Sequence, residues 1–336
     1  MSGVLLAHAL RDPGSVEALD ANGWTGLLAA ARAEQLIGTL AWRIERLAMP
    51  DAARRVLADA RATVEQGRLV ALWEAEMARR ALAGTGIPVV LLKGTAFVAA
   101  GLSAGQGRQI GDLDILVPRD RIEEAEAALI AAGWEWVKPD PYDDEYYRRW
   151  MHELPPLIHR ERDRMIDVHH TILPLTARVT PDAGALIESR AMLENGLFVL
   201  PPEGMVVHAA AHLLADGDLQ GGLRNLWDIR CLTEEFGGAE FDLKLAACAA
   251  QHGLTREVER ALRLSDHLFG ARAQLTLADR LYVRRLLARD GWGRPTRKLT
   301  ELAFYLRGHW LRMPPLMLLR HLWTKWRKGY RPGATA

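Results

Sequence analysis

The spacing of apolar and polar positions changes twice along this chain, dividing it into a helical, a strand-rich and a second helical region. In the first 84 residues apolar side chains recur at helical spacing: Trp24, Leu27, Leu28, Ala31 and Leu36, then Leu40, Ile44 and Leu47, with a break at Met49-Pro50-Asp51. From Asp51 an Ala-, Arg- and Glu-rich run predicts one long helix towards Leu82, suited to covering one side of a sheet. After Gly84-Thr85-Gly86 the period shortens. Residues 89–92 (VVLL) read as a buried strand, 95–102 as a short helix, and 112–117 (DLDILV) as a strand with period two. On that strand Asp112 and Asp114 share one face, while Leu113, Ile115 and Val117 take the other. A helix over 121–133 carries Ile122, Ala125, Leu129 and Ile130 on one stripe and stops at Gly133. Next come a strand over 134–138, a polar insertion over 139–147, and a hairpin of residues 154–159 and 165–170. Helical spacing then returns around 203–212, 221–232, 241–248, 254–269 and 275–287, after a brief extended connection at 197–202. The pattern predicts an α+β fold with a small mixed sheet at 86–180, an N-terminal helical region at 1–85, and a C-terminal helical domain at 181–336.

Composition refines this only slightly. With 336 residues, 49% hydrophobic and 25% charged, the chain can bury a large core in two or three domains, and a formal net charge of +1 gives no global pull towards polyanions. Two cysteines, Cys231 and Cys248, argue against a disulfide framework and for a reducing compartment. The N-terminus is interrupted by Arg11, Asp12 and Pro13, and no long apolar run follows. The expectation is a cytoplasmic protein without membrane insertion.

Chemistry concentrates on the second strand. Two carboxylates on one strand face repel each other and are poor strand formers, so their placement calls for a partner, and an oxygen-rich pair of this kind suits Mg²⁺. A lone Asp-x-Asp is more plainly a solvated strand face. Here the pair follows a strand, Gly94-Thr95 and a helix, an arrangement whose close backbone approach and helix-start hydroxyl favour phosphate.

Gly94-Thr95, the Asp112/Asp114 pair and a later strand carboxylate together resemble the three-part signature of the DNA polymerase beta-like nucleotidyltransferase superfamily. Within it, LLKGTAF followed by GDLDILVPRDRIEEAEAALIAAGW is similar to a bacterial family of uncharacterised nucleotidyltransferases. The likeness spans roughly residues 24–232 and is most specific over 87–134. Gly-Thr stands where Gly-Ser is commoner, and the hydroxyl is kept. The resemblance implies a nucleotidyltransferase core with two Mg²⁺ ions, or Mn²⁺ in their place. Asp112 and Asp114 would bridge both metals and the triphosphate, and a third carboxylate would bind the metal beside the attacking hydroxyl. Asp167, on the second arm of the hairpin with His169 facing the same way, fits the third role as ligand and general base. The reaction implied moves a nucleoside monophosphate from an NTP, ATP first among them, to an acceptor hydroxyl with release of pyrophosphate. Arg108 and Lys93 are candidates for neutralising the triphosphate beside Gly94 and Thr95. A surface-loop arginine is the equal alternative for Arg108.

In the C-terminal region His208 and His212 lie four apart on one helix face. A zincin would need Glu at position 209, where this chain has Ala209, so satisfied core or cleft histidines are the plainer reading. Arg224 and Asp228 are also four apart and read first as a helical ion pair. Helices at this point in related transferases line the nucleotide or acceptor cleft, which makes His212, Arg224, Asp228 and the strand residue His169 candidates for that cleft. Between Arg294 and Arg331 ten Lys/Arg face a single acid, Glu301, interleaved with Trp310, Trp323 and Trp326. Such a tail suits an anionic partner or simply a solvated terminal helix. A phosphotransferase using the same site, and a catalytically silent nucleotide- or partner-binding module, are the alternatives to nucleotidyl transfer. Protein, peptide, RNA, sugar and antibiotic acceptors are all compatible with the core.

Overall fold

A computed structural model describes residues 2–137, 141–271, 273–315, 318–319 and 323. The chain opens with helices α1 (Ser2–Arg11), α2 (Ala21–Ala33), α3 (Ile37–Arg43) and the 32-residue α4 (Asp51–Leu82). Strand β1 (Val90–Leu91), helix α5 (Lys93–Ala99), strand β2 (Leu113–Leu116), helix α6 (Ile122–Ala131) and strand β3 (Trp134–Trp136) follow. After helix α7 (Pro141–Trp150) come strands β4 (Leu157–His159) and β5 (Met165–His169), helix α8 (Ala183–Glu188), and strands β6 (Ala191–Met192) and β7 (Phe198–Val199). Helices α9 (Pro202–Ala211), α10 (Gly222–Phe236), α11 (Ala239–Gln251), α12 (Thr255–Phe269), α13 (Leu277–Leu286) and α14 (Lys298–Arg312) complete the described chain. The α+β class expected from the periodicity is what the structure has.

The seven strands form one mixed sheet in the order β3-β4-β5-β2-β1-β7-β6. Its centre decides the chemistry. Strand β2 runs antiparallel to β1 and parallel to β5, with Asp114 opposite Asp167 and Leu116 opposite His169. Because side chains alternate across a strand, Asp114, Asp167 and His169 emerge on the same face. All four residues of β2 are buried, so Asp114 is a charge inside the protein and has to be paired.

Helix α4 covers α5, α6 and β2. Ala71, Ala75, Ala78 and Leu82, buried at helical spacing, bring it close to the layer beneath, and the one carboxylate on that side, Glu74, is met by Arg162 through two hydrogen bonds of 2.8 and 3.0 Å. A 3₁₀ turn and Gly86, at φ +70°, end the helix and turn the chain into β1.

Three local expectations are corrected. The polar insertion at 139–147 contains part of helix α7, because its aromatic and arginine side chains pair with neighbours: Arg148 reaches Glu126 at 2.9 Å and Asp144, four residues earlier, at 2.8 Å. Residues 138–140 lie outside those described. The extended connection at 197–202 supplies β7, which pairs in parallel with β1 and carries β6 on its other edge. Two-residue strands have no period to read, so tertiary pairing makes them. The short helix starts at Lys93 rather than Thr95, with Lys93 itself at φ +49°. Of the basic tail, Trp310 and Trp323 are described and exposed, while Arg320, Lys325, Trp326, Arg327, Lys328 and Arg331 lie outside the described residues.

Candidate active site

A cleft of about 600 Å³ opens between the sheet and the helical region, lined among others by Lys93, Gly94, Arg108, Asp112, Asp114, His212, Arg224 and Asn225. Its acidic wall is strand-borne. Asp114 is buried and its Oδ1 accepts from Lys93 Nζ at 2.6 Å, with His169 Nε2 at 2.9 Å. Burial disfavours the Asp114 charge, but Lys93 and His169 outweigh it and hold the carboxyl well below the usual carboxylate range. The Lys93 ammonium is likewise opposed by burial and rescued by Asp114, with smaller help from Asp112 and Glu153, so its pKa is raised. A lysine held in the left-handed region costs about 1–3 kcal/mol, and Lys93 is held there by the element it starts and the ion pair it makes.

Asp112, one residue before β2, is exposed at the cleft. Asp167 is half-buried beside Asp114, and its Oδ1 is enclosed without any hydrogen-bond partner. Burial first, then the charges of Glu153 and Asp114, push its carboxyl up to about 7. Thr95 is buried and is absent from the cleft lining, whereas Gly94 is part of it. Gly94 lies directly under Arg108: a Cβ there would come within 2.4 Å of Arg108 Nε.

The opposite wall is a buried arginine clamp. Arg224 gives Asp228 Oδ1 two hydrogen bonds of 2.9 and 2.6 Å, and Arg108 donates to the other oxygen of the same carboxylate. Arg224 also donates to Thr39 Oγ1 at 2.6 Å, and that hydroxyl donates to the carbonyls of Gln106 and Gly107. Gly38 and Gly107 meet back to back, since a Cβ on Gly38 would fall 2.5 Å from the Gly107 carbonyl oxygen. Helices α3 and α10 thereby grip the loop that carries Arg108 and leads into Asp112. Arg224 and Asp228 form the helical pair that their spacing predicts, and the pair is buried and shared with Arg108. His212 begins a π-helical turn, His212–Asp216, and lines the cleft. Burial, then Lys93, push its imidazole down to about 3, so it stays neutral.

Three residues beside the acidic wall escaped the sequence reading. Glu153 Oε2 lies 3.3 Å from His169 Nδ1, His152 stacks on His169 with ring centroids 5.2 Å apart, and the half-buried Asp216 faces Arg312 at 3.6 Å. The first two arrive through a bridge between Glu153 and His169 that extends the hairpin past Pro155-Pro156. A His-Glu pair after an aromatic-rich segment was the available signal. No helix among the described residues is long and apolar enough to cross a membrane.

Comparison with known proteins adds the following. A family profile described as uncharacterised nucleotidyltransferase matches residues 20–270. No curated protein matches the chain. Among solved structures, the crystal structure of ANT(2″)-Ia in complex with adenylyl-2″-tobramycin aligns at 12% identity over 52% of this chain and 95% of that one, with a TM-score of 0.35. The solution structure of the antibiotic-resistance factor ANT(2″)-Ia aligns at 13% identity over 55% and 94%, with a TM-score of 0.36. Both likenesses are too slight to carry fold or substrate to this chain.

Proposed function

The chain belongs to the uncharacterised nucleotidyltransferase family, and on that premise we propose that it moves a nucleoside monophosphate from a Mg²⁺-bound NTP, ATP first, to an acceptor hydroxyl, releasing pyrophosphate. One observation carries the reading: Asp114 and Asp167 stand side by side on parallel strands, one of them with an unpartnered buried oxygen, next to a cleft that also holds Asp112, Lys93 and Arg108. The donor set fits a hard dication. Asp114 engages Lys93 and His169 through Oδ1 alone, Asp112 is exposed, and the acids around the site exceed the one lysine. When bound, the ions neutralise the triphosphate and make the acceptor hydroxyl easier to deprotonate.

In this reading Asp112 and Asp114 hold the metal-bound triphosphate, and Asp167 sits beside the acceptor oxygen. Ionised once bound cations offset its burial and the neighbouring carboxylates, Asp167 would take the hydroxyl proton as the acceptor oxygen bonds to the α-phosphorus and the bond to the β-phosphate oxygen breaks. Lys93, paired with Asp114, would turn to phosphate oxygens when NTP is bound, and Arg108, with Arg224 behind it, would offset the charge of the departing pyrophosphate. Gly94 lets the backbone approach the phosphates, Thr95 supports the turn, and His212 borders the cleft, while His169 lies buried behind Asp114 and orients it. Protein, peptide, RNA and small-molecule acceptors all remain within this proposal. A silent binding module draws on one fact, that Lys93 already occupies Asp114.

The test uses the purified chain with each NTP labelled in turn on the α- and γ-phosphate, Mg²⁺, and RNA, protein and small-molecule fractions as acceptors. Transfer of α-label with pyrophosphate release, abolished in Asp112→Asn and Asp114→Asn, supports the proposal. Transfer of γ-label points to phosphoryl transfer, and Mg²⁺-dependent binding with no transfer to any fraction points to the silent module.

A further inference from the structure

Behind the acidic wall, on the side of His169 away from Asp114, lies a second cluster whose chemistry differs from the first. His169 is 2% exposed, and its two ring nitrogens face two carboxylates: Nε2 lies 2.9 Å from Asp114 Oδ1, and Nδ1 lies 3.3 Å from Glu153 Oε2 yet makes no hydrogen bond. With the proton on Nε2, where Asp114 accepts it, Nδ1 presents a lone pair to a carboxylate oxygen. Two acceptors enclosed at that distance repel unless a cation lies between them. The neighbouring ring of His152 brings Nε2 to 3.6 Å from the same Glu153 oxygen, and one ligand atom from each of His152, Glu153 and His169 fall within 4.8 Å of one another.

The two histidine–glutamate separations, 3.3 and 3.6 Å, are those of a coordination shell, and the third pair of ligand atoms lies within 4.8 Å. Bonds of about 2.0–2.2 Å from a tetrahedral zinc-type ion to nitrogen or oxygen hold adjacent ligand atoms roughly 3.3–3.6 Å apart. The backbone fixes the three residues in place: Glu153 bridges His169 in the extended hairpin, Leu154 N–H donates to the Val168 carbonyl at 2.9 Å, and His170 N–H donates to the His152 carbonyl at 2.8 Å. Asp114, accepting from the far nitrogen of His169, supplies the carboxylate that orients a metal-bound imidazole. Two imidazoles and one carboxylate select against Mg²⁺, which prefers oxygen, and for a transition-metal dication.

We propose that His152, Glu153 and His169 form a binding site for a dication of the zinc class, separate from the Mg²⁺ position at Asp112 and Asp114 and joined to it through the His169–Asp114 hydrogen bond. Three protein ligands leave a coordination position open, and the Glu153 side chain, 18% exposed, gives the ion a route in. The site would anchor the end of β5 against the His152-Glu153 segment and, through the His169–Asp114 hydrogen bond, fix the orientation of Asp114.

The probe is Co²⁺, added to the chelator-treated full-length protein in excess Mg²⁺ and followed by its visible d–d absorption. One equivalent of Co²⁺ should bind with the bands of a four- or five-coordinate ion, and one equivalent of Zn²⁺ should bleach them. Glu153→Gln and His152→Gln should each weaken binding by more than about 100-fold, Asp114→Asn by about 10–100-fold through the lost orientation, and Asp112→Asn hardly at all. Circular dichroism confirms that each variant is folded, and Glu153→Gln, the least buried of the ligand changes, decides the matter if His152→Gln does not fold. Absence of bands, bands displaced by Mg²⁺, or bands unchanged in Glu153→Gln would overturn the proposal and make the cation between His169 and Glu153 a proton. Because the readout needs no nucleotide, its failure and the failure of nucleotidyl transfer are told apart.

Discussion

The two walls of the cleft handle buried charge in opposite ways. On the helical wall one carboxylate, Asp228, is shared by two guanidiniums, Arg224 and Arg108, and Thr39 takes a further donor. On the strand wall Asp114 and Asp167, with Glu153 behind and Asp112 in front, face the single ammonium of Lys93 and the imidazole of His169. One side carries a surplus of positive charge, the other a surplus of negative. The helical wall is nearly closed by its own hydrogen bonds, although Arg108 Nε, packed on Gly94, has no partner. The strand wall is open: Asp167 Oδ1 and His169 Nδ1 are enclosed without partners. A fold keeps such groups at a cost of about 1–3 kcal/mol each. The contrast teaches that the first wall is built to hold a loop in place and the second to receive cations.

The sharpest way to break this contrast is to remove each wall's central carboxylate. Asp228→Ala should strand two buried guanidiniums and destabilise the protein by about 3–5 kcal/mol, read as a shift of the urea midpoint at constant slope. Asp114→Ala should cost somewhat less stability, since Lys93 keeps partial access to water, but should lower transfer by at least about 10³-fold. Equal stability losses would mean that the strand wall is as closed as the other.

Next in size is Gly107→Ala. The new Cβ would press on the Gly38 backbone at 2.6 Å, in a residue at φ +67°, and should cost about 1–3 kcal/mol while raising KM for NTP through the displaced Arg108. Denaturation and steady-state kinetics on one preparation check both effects.

A pH titration sharpens the same comparison. In the metal-free protein Asp167 keeps its proton to about 7, whereas the unfolded chain releases it near 4. Native protein therefore binds more protons than unfolded protein between these values, and its stability falls as pH rises through that window, by at most about 1.4 kcal/mol per pH step. Asp167→Asn should flatten the slope, and Mg²⁺ should flatten it in the wild type. Urea midpoints across the window test this. The smallest effect is expected at Asp112: Asp112→Asn should change stability by less than about 0.5 kcal/mol, because the side chain is exposed, and yet remove Mg²⁺-dependent activity.

How much of this was legible in the residues follows from how local each feature is. Helix α4, the Asp-x-Asp strand and the hairpin that carries Asp167 are written in periodicity, and each is where the pattern puts it. The Arg224–Asp228 pair was readable at its spacing of four, but the arrival of Arg108 from 120 residues away was not. Glu153 and His152 follow a segment whose polar composition reads as a loop, and only pairing across the hairpin turns them towards His169. Strands β6 and β7 are too short to carry a period, and the left-handed Lys93 moves the start of α5 ahead of the Gly-Thr that marks it in sequence.

The most direct test of the account is calorimetric titration of each NTP into wild type and Asp112→Asn, with and without Mg²⁺. The account predicts that at least one NTP binds the wild type only when Mg²⁺ is present, and that Asp112→Asn, equally folded, loses this binding. Binding that needs no metal and survives Asp112→Asn, or no binding of any NTP, would contradict it.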